Sequence, residues 1–268
     1  MNSTTARRRT PLPLSLLYVG LVAALAWAFI AKFRANDLPG LQDRPWVLGL
    51  VIASLAISAA GWIGVALVLR RVLDAVGVEG LATIGLISGL HFAVSYTAVL
   101  FATMLRPLFG PFVIFVTGLG DEGIPCLLLA VLITLLPRPG TLMLTYLTLF
   151  TLNCVFGGSF GLIQLLFVTI SIALGEGILA AMRVTTGESL RQTGASPSPA
   201  IVWRMAVAVG LVNAAPLLVQ YCVYQVMYRL ELATWFIAAG TLIPGFLYGG
   251  IGAAIGTLLG FRLRRIAR

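Results

Sequence analysis

Polar side chains set inside apolar runs are where this sequence could do chemistry. Glu176 lies within Leu174-Gly175-Glu176-Gly177-Ile178, and it is the one carboxylate expected inside a long apolar helix. A charge at membrane depth is costly and faces a protein interior or a cavity, which makes it a functional candidate or a structural acid bonded to a neighbouring helix. His91 is the sole histidine, four residues before Ser95 and five before Tyr96 in another apolar run. It is a candidate ligand contact or a helix-to-helix hydrogen bond. Tyr146 and Asn153 are seven apart and share a helix face. Gln164 begins the next run, and Asn213, Gln220 and Tyr224 form a polar face on a later one. Tyrosines at such positions often make an interfacial belt, but amides do not belong to one. Amides and aromatics converging from several helices point to an outward-facing pocket for a small polar ligand. Asp121 and Glu122 are expected on a loop able to cover it.

These groups must be held by helices that live in lipid. The 268 residues are 59% hydrophobic and 10% charged, against about 25% charged in soluble domains. Crossing the hydrocarbon takes about 20 apolar residues. Eight segments qualify or nearly so: 14–33, 46–69, 80–105, 122–137, 141–157, 159–182, 201–228 and 233–261. The fold class expected is an all-α polytopic bundle of about eight transmembrane helices. The stretch 107–119 is apolar but too short to cross, and is expected to dip into the outer leaflet or lie over the protein. The triple arginine Arg7-Arg8-Arg9 precedes a run too long for a signal peptide, so the first helix is read as retained.

The net charge of +9 does not signal nucleic acid, because the arginines sit at the ends of apolar runs instead of forming one stripe. With both termini in the cytoplasm, thirteen basic residues fall inside and five (Lys32, Arg34, Arg44, Arg106 and Arg229) fall outside. That asymmetry is the positive-inside bias. Small residues recur every four positions at Gly85, Gly89 and Ala93, and again at Gly245, Gly249, Ala253 and Gly252, Gly256, Gly260. Such stripes let helices approach closely, within the bundle or with a partner subunit. Pro216 and Pro244 should kink their helices.

Several chemistries are excluded. The only lysine is Lys32 and no G-x-x-x-x-G-K-[ST] loop exists, so P-loop ATP hydrolysis must come from another subunit. One histidine rules out HExxH, and no metal or cofactor is expected. Cys126, Cys154 and Cys222 lack CxxC spacing and read as small apolar fillers. Gly157-Gly158-Ser159-Phe160-Gly161 has the letters of a nucleophile elbow, but a helix and not a strand precedes it. A hydrolase using Ser159 and His91, or a ligand-free scaffold subunit, are the competing classes.

The stretch 123–181 contains an apolar helix, Leu135-Leu136-Pro137-Arg138-Pro139-Gly140, a helix ending near Asn153, Gly161-Leu162-Ile163-Gln164, and the Gly-Glu-Gly element at 175–177. It resembles the substrate-binding S-components of energy-coupling-factor vitamin transporters of the thiamine/hydroxymethylpyrimidine type. The resemblance implies a non-enzymatic membrane subunit in a bacterial or archaeal cytoplasmic membrane. A six-helix core over 80–268 would be preceded by a basic tail and two added helices over 1–79. It implies a vitamin or precursor as ligand, and as partners a transmembrane T-component and two ATPases. Gly85, Gly89 and Ala93 would then dock the T-component, and Glu176 would face a cationic thiazolium or protonated pyrimidine.

Overall fold

The computed structural model describes residues 12–35, 39–156, 162–185, 190 and 197–266, and these are helical with no strand among them. The helices are α1 (Leu12–Arg34), α2 (Pro39–Gln42), α3 (Pro45–Phe109), α4 (Val113–Gly118), α5 (Ile124–Leu135), α6 (Thr141–Phe156), α7 (Leu162–Ala181), α8 (Pro199–Tyr228), α9 (Thr234–Gly240) and α10 (Gly249–Ile266). Four helical stretches are long and apolar enough to cross a membrane: Pro45–Leu135, Gln164–Ala181, Pro199–Tyr228 and Thr234–Ile266. The helix Thr141–Phe156 is apolar but shorter.

The first of those stretches is not straight. Gly77 has φ 72° and ψ 175°, a conformation that costs a side chain dearly and glycine little. It divides α3 into arms 45–76 and 78–109. Ser58 of the first arm bonds Thr169 of α7, while His91 of the second shares a cavity with the adjacent Val168. An unbroken helix would hold residues 58 and 91 about 50 Å apart, so the chain turns back at Gly77. Gly110, with φ 55°, reverses it again.

From 113 onward the structure departs from expectation. The stretch 107–119 does not lie over the protein. Its second half, α4, runs through a π-helical turn (Leu119–Gly123) into α5. Residues 113–135 thus form one helical path of about 35 Å, enough to span a bilayer. Pro244 and Pro216 both lie inside helical segments. Pro244, lacking an N–H, sits in a second π-helical segment, Thr241–Tyr248, between α9 and α10.

The stripe of Gly252, Gly256 and Gly260 packs internally. A Cβ at Gly252 would overlap the Gly123 carbonyl, one at Gly256 the Leu127 carbonyl, and one at Gly260 would lie 2.7 Å from Thr134 Cβ. Bare backbone lets α10 lie against α5 in the most extensive helix contact described. The stripe of Gly85, Gly89 and Ala93 does the opposite. Nothing lies within 4 Å of a Cβ built at Gly85 or Gly89, and Ala93 is exposed.

The helices before residue 80 are part of the bundle. Phe29 of α1 is buried with Val51, Ile170 and Val223. Val65 and Val76 share a cluster with Ile84, Leu132 and Met143 across the Gly77 bend.

Candidate functional site

Three helices enclose a cavity of about 360 Å³. The second arm of α3 contributes His91, Phe92, Ser95 and Tyr96, α6 contributes Tyr146, Phe150 and Asn153, and α7 contributes Gln164 and Phe167. Helical spacing explains the set. Tyr146, Phe150 and Asn153 stand at i, i+4 and i+7, and Gln164 and Val168 at i and i+4, so each helix turns one face inward. Phe92 stacks on Tyr96 with ring centroids 6.0 Å apart.

The polar atoms are placed for recognition. Asn153 Nδ2 donates to the Leu149 carbonyl at 2.9 Å. Its amide oxygen and second N–H remain for other partners. His91 Nδ1 is shut off from solvent with no hydrogen-bond partner among the described residues, and so is Ser88 Oγ one turn earlier. A buried polar atom without a partner costs about 1–3 kcal/mol. Native proteins keep such an atom where something else satisfies it. Among the lining residues there is no Asp, Glu, Lys or Arg. The walls therefore suit an uncharged, flat ring.

Of the eight binding residues expected from sequence, His91, Tyr146, Asn153 and Gln164 line this cavity. Glu176, Asn213, Gln220 and Tyr224 do not. Gln220 Nε2 donates to Tyr224 Oη at 2.5 Å within α8. Glu176 sits twelve residues along α7 from Gln164, about 18 Å away. Its Oε1 accepts the Met143 N–H at 3.0 Å, and the Gly140 and Leu142 amides also reach the carboxylate. The first N–H groups of a helix have no internal partner, and an anion there is also attracted to the positive end of the helix dipole. Glu176 thus caps α6 from a neighbouring helix. Gly175 makes room for the approach, since a Cβ there would stand 3.0 Å from Leu142 Cδ2. Replacing Glu176 with alanine should lower stability by about 1–2 kcal/mol in a denaturant titration and leave ligand affinity unchanged. A binding defect without a stability loss would return Glu176 to the site.

Asp121 and Glu122 do not form a covering loop. Both lie in the π-helical turn, and Glu122 Oε2 accepts a bond from Asn213 Nδ2 at 2.8 Å. The same nitrogen donates to the Gly245 carbonyl at 3.1 Å. One amide therefore ties both π-helical segments to α8. Truncating Asn213 to alanine should cost about 2 kcal/mol, because Glu122 loses its partner. In a double-mutant cycle with Glu122→Ala the two costs should fall short of additive; full additivity would show that the pair is not coupled.

The sequence reading missed Phe92, Phe150 and Phe167 as wall residues. Alone, each is indistinguishable from core. Their signal is spacing, one position after His91, four after Tyr146 and three after Gln164. Ser159, the nucleophile of the hydrolase alternative, lies outside the described residues. No cluster of three or more His, Cys, Asp or Glu that could hold a metal occurs among the described residues. No family model matches the chain, and no curated protein or solved structure matches it.

Proposed function

We propose that this chain is the substrate-capture subunit of an ATP-driven importer of the energy-coupling-factor kind. It would cross a bacterial or archaeal cytoplasmic membrane eight times, with both termini inside. Its substrate would be a small heteroaromatic nutrient, and the partner subunits, a T-component and two ATPases, would supply ATP hydrolysis. The observation that carries this reading is the meeting of His91, Tyr146, Asn153 and Gln164 in one aromatic-walled cavity. Polar residues from three separate helices share one hollow of the size small-molecule sites use.

The chemistry of the walls refines the substrate. Burying a fixed positive charge without a counter-ion is heavily penalised. With Glu176 engaged on α6, the cavity favours the neutral hydroxymethylpyrimidine ring over the thiamine cation. Binding would strip water from the ring and stack it between Phe and Tyr side chains. The His91 ring and the Asn153 and Gln164 amides would fix its orientation. No bond of the ligand is made or broken. The open face of Gly85, Gly89 and Ala93 gives a T-component helix room for close approach.

The test is direct. Protein purified from its host membrane is extracted and the small molecules are identified by mass spectrometry. Purified protein is then titrated with hydroxymethylpyrimidine and with thiamine by calorimetry. A heteroaromatic ligand in the extract and saturable pyrimidine binding are expected. An empty extract together with no heat from either compound would sink the importer reading. Retained hydrolysis of an ester substrate, lost on Ser159→Ala, would favour the enzyme alternative.

A further inference from the structure

Three buried polar atoms outside the His91 cavity lie between α8 and the chain from Leu232 to Thr241. Tyr221 is 7% exposed and Gln225 1% exposed, and they stand four residues apart on one face of α8. Tyr221 Oη, Gln225 Oε1 and Thr241 Oγ1 are each shut off from solvent with no hydrogen-bond partner among the described residues. The backbone at Gly240 lies against the Tyr221 hydroxyl, since a Cβ there would stand 2.6 Å from Oη, and Thr241 follows directly. Pro244 has no N–H, so a carbonyl one turn earlier, at this same place, lacks its ladder partner. Gln225 Nε2 donates to the Leu232 carbonyl at 2.8 Å, and the neighbouring Tyr228 and Leu230 are exposed. A line of unsatisfied polar groups therefore runs from the exposed Tyr228 end of α8 to the Pro244 segment. The line leads to a carboxyl. Glu122 Oε2 accepts from Asn213 Nδ2, which also serves the Gly245 carbonyl, and the Glu122 charge is felt at the Tyr221 and Tyr146 hydroxyls. The ionisable groups facing it are Asp121 on the same turn, Cys126 on α5, Tyr146 on α6, Tyr221 on α8 and Tyr248, whose ring lies against Gly118. None of these is a cation. The α3, α4 and α10 residues beside the turn, such as Ala93, Thr117 and Gly252, are not ionisable.

An acid among apolar helices, with polar groups leading to it, is the arrangement of a proton relay. We propose that Glu122 takes up and releases a proton by way of water held along Gln225, Tyr221 and Thr241. Buried water bonds to about three polar atoms that would otherwise go unsatisfied, and each of these side chains offers one. The Gln225 carbonyl orients the first water. Hydroxyls both accept and donate, so each water or hydroxyl on the line gains one proton and passes one on. The transfer ends as the O–H of Glu122, and the reverse path restores the carboxylate. Protonation turns an acceptor-only carboxylate into a donor. Proton uptake thus changes the bond to Asn213, and with it the tie between α8 and both π-helical segments.

The experiment follows the full chain in lipid nanodiscs by infrared spectroscopy. The wild type should show a protonated-carboxyl stretch that appears reversibly on acidification. In heavy water this band should shift faster than the core amides exchange. Glu122→Gln should remove the band, and Asp121→Asn should leave it. Tyr221→Phe/Thr241→Val removes both hydroxyls at nearly constant volume and should slow the deuterium shift by about tenfold or more. Ser54→Ala, which removes a buried hydroxyl on the first arm of α3, should not slow it. Amide exchange in the same spectra reads opening of the fold and should be equal in the wild type, the double variant and Ser54→Ala. A band that persists in Glu122→Gln, or vanishes in Asp121→Asn, would overturn the site. An undiminished deuterium rate in the double variant, or equal slowing in Ser54→Ala, would overturn the path. Should Glu122→Gln fail to fold, Glu122→Asp keeps the acid on a shorter stem and should move the band; an unmoved band rejects Glu122. Should the double variant fail to fold, Tyr221→Phe alone should still slow the shift, and an unchanged rate rejects the path. A wild type without such a band would overturn the proposal without any variant.

Discussion

Gly256→Leu is expected to prevent the bundle from assembling. The Cβ alone would overlap the Leu127 carbonyl, a backbone atom of α5 that no rotamer change can move aside. Gly252 meets the Gly123 carbonyl in the same way one turn earlier. Overpacking at a flexible neighbour costs about 1–3 kcal/mol, and a rigid backbone neighbour places the cost at or above the upper end of that range. Size-exclusion profiles and thermal melts should show aggregated or unfolded protein for Gly252→Leu and Gly256→Leu. Gly89→Leu makes the contrast, because nothing lies within 4 Å of its Cβ. That variant should fold with an unchanged melting midpoint, and under the importer reading it should lose co-purification with the T-component. A stable Gly256→Leu protein would mean that α10 does not lie against α5 as described.

His91→Leu should separate binding from stability. A histidine kept for structure loses stability when removed. Here Nδ1 is buried and unpartnered, so an apolar side chain of similar size removes a penalty. The variant should be as stable as the wild type, or more stable by about 1 kcal/mol. Its affinity for the heteroaromatic ligand should fall by about thirtyfold, or ~2 kcal/mol, because the ligand loses the polar contact of the imidazole ring that lines the cavity. Calorimetry on the two proteins, with melts on the same samples, reads both quantities. Lower stability with unchanged affinity would make His91 a packing residue and move the site elsewhere.

The sequence by itself determined the class of the molecule and the inward face of several helices. Apolar run lengths give helices suited to lipid, and 3.6-residue periodicity puts Tyr146 with Asn153 and His91 with Ser95. The sequence also marked both small-residue stripes but could not say which was covered. Tertiary structure decided that α10 is pressed to α5 while Gly85 and Gly89 stay open. It decided that Glu176 serves the N–H groups of α6, since a cap supplied by another helix leaves no local pattern. It placed Asp121 and Glu122 inside a continuous helical path, because a π-helical turn joins two segments that each read as too short or as a loop. Periodicity fixes which residues share a face of one helix; only the packing of neighbours fixes what that face meets.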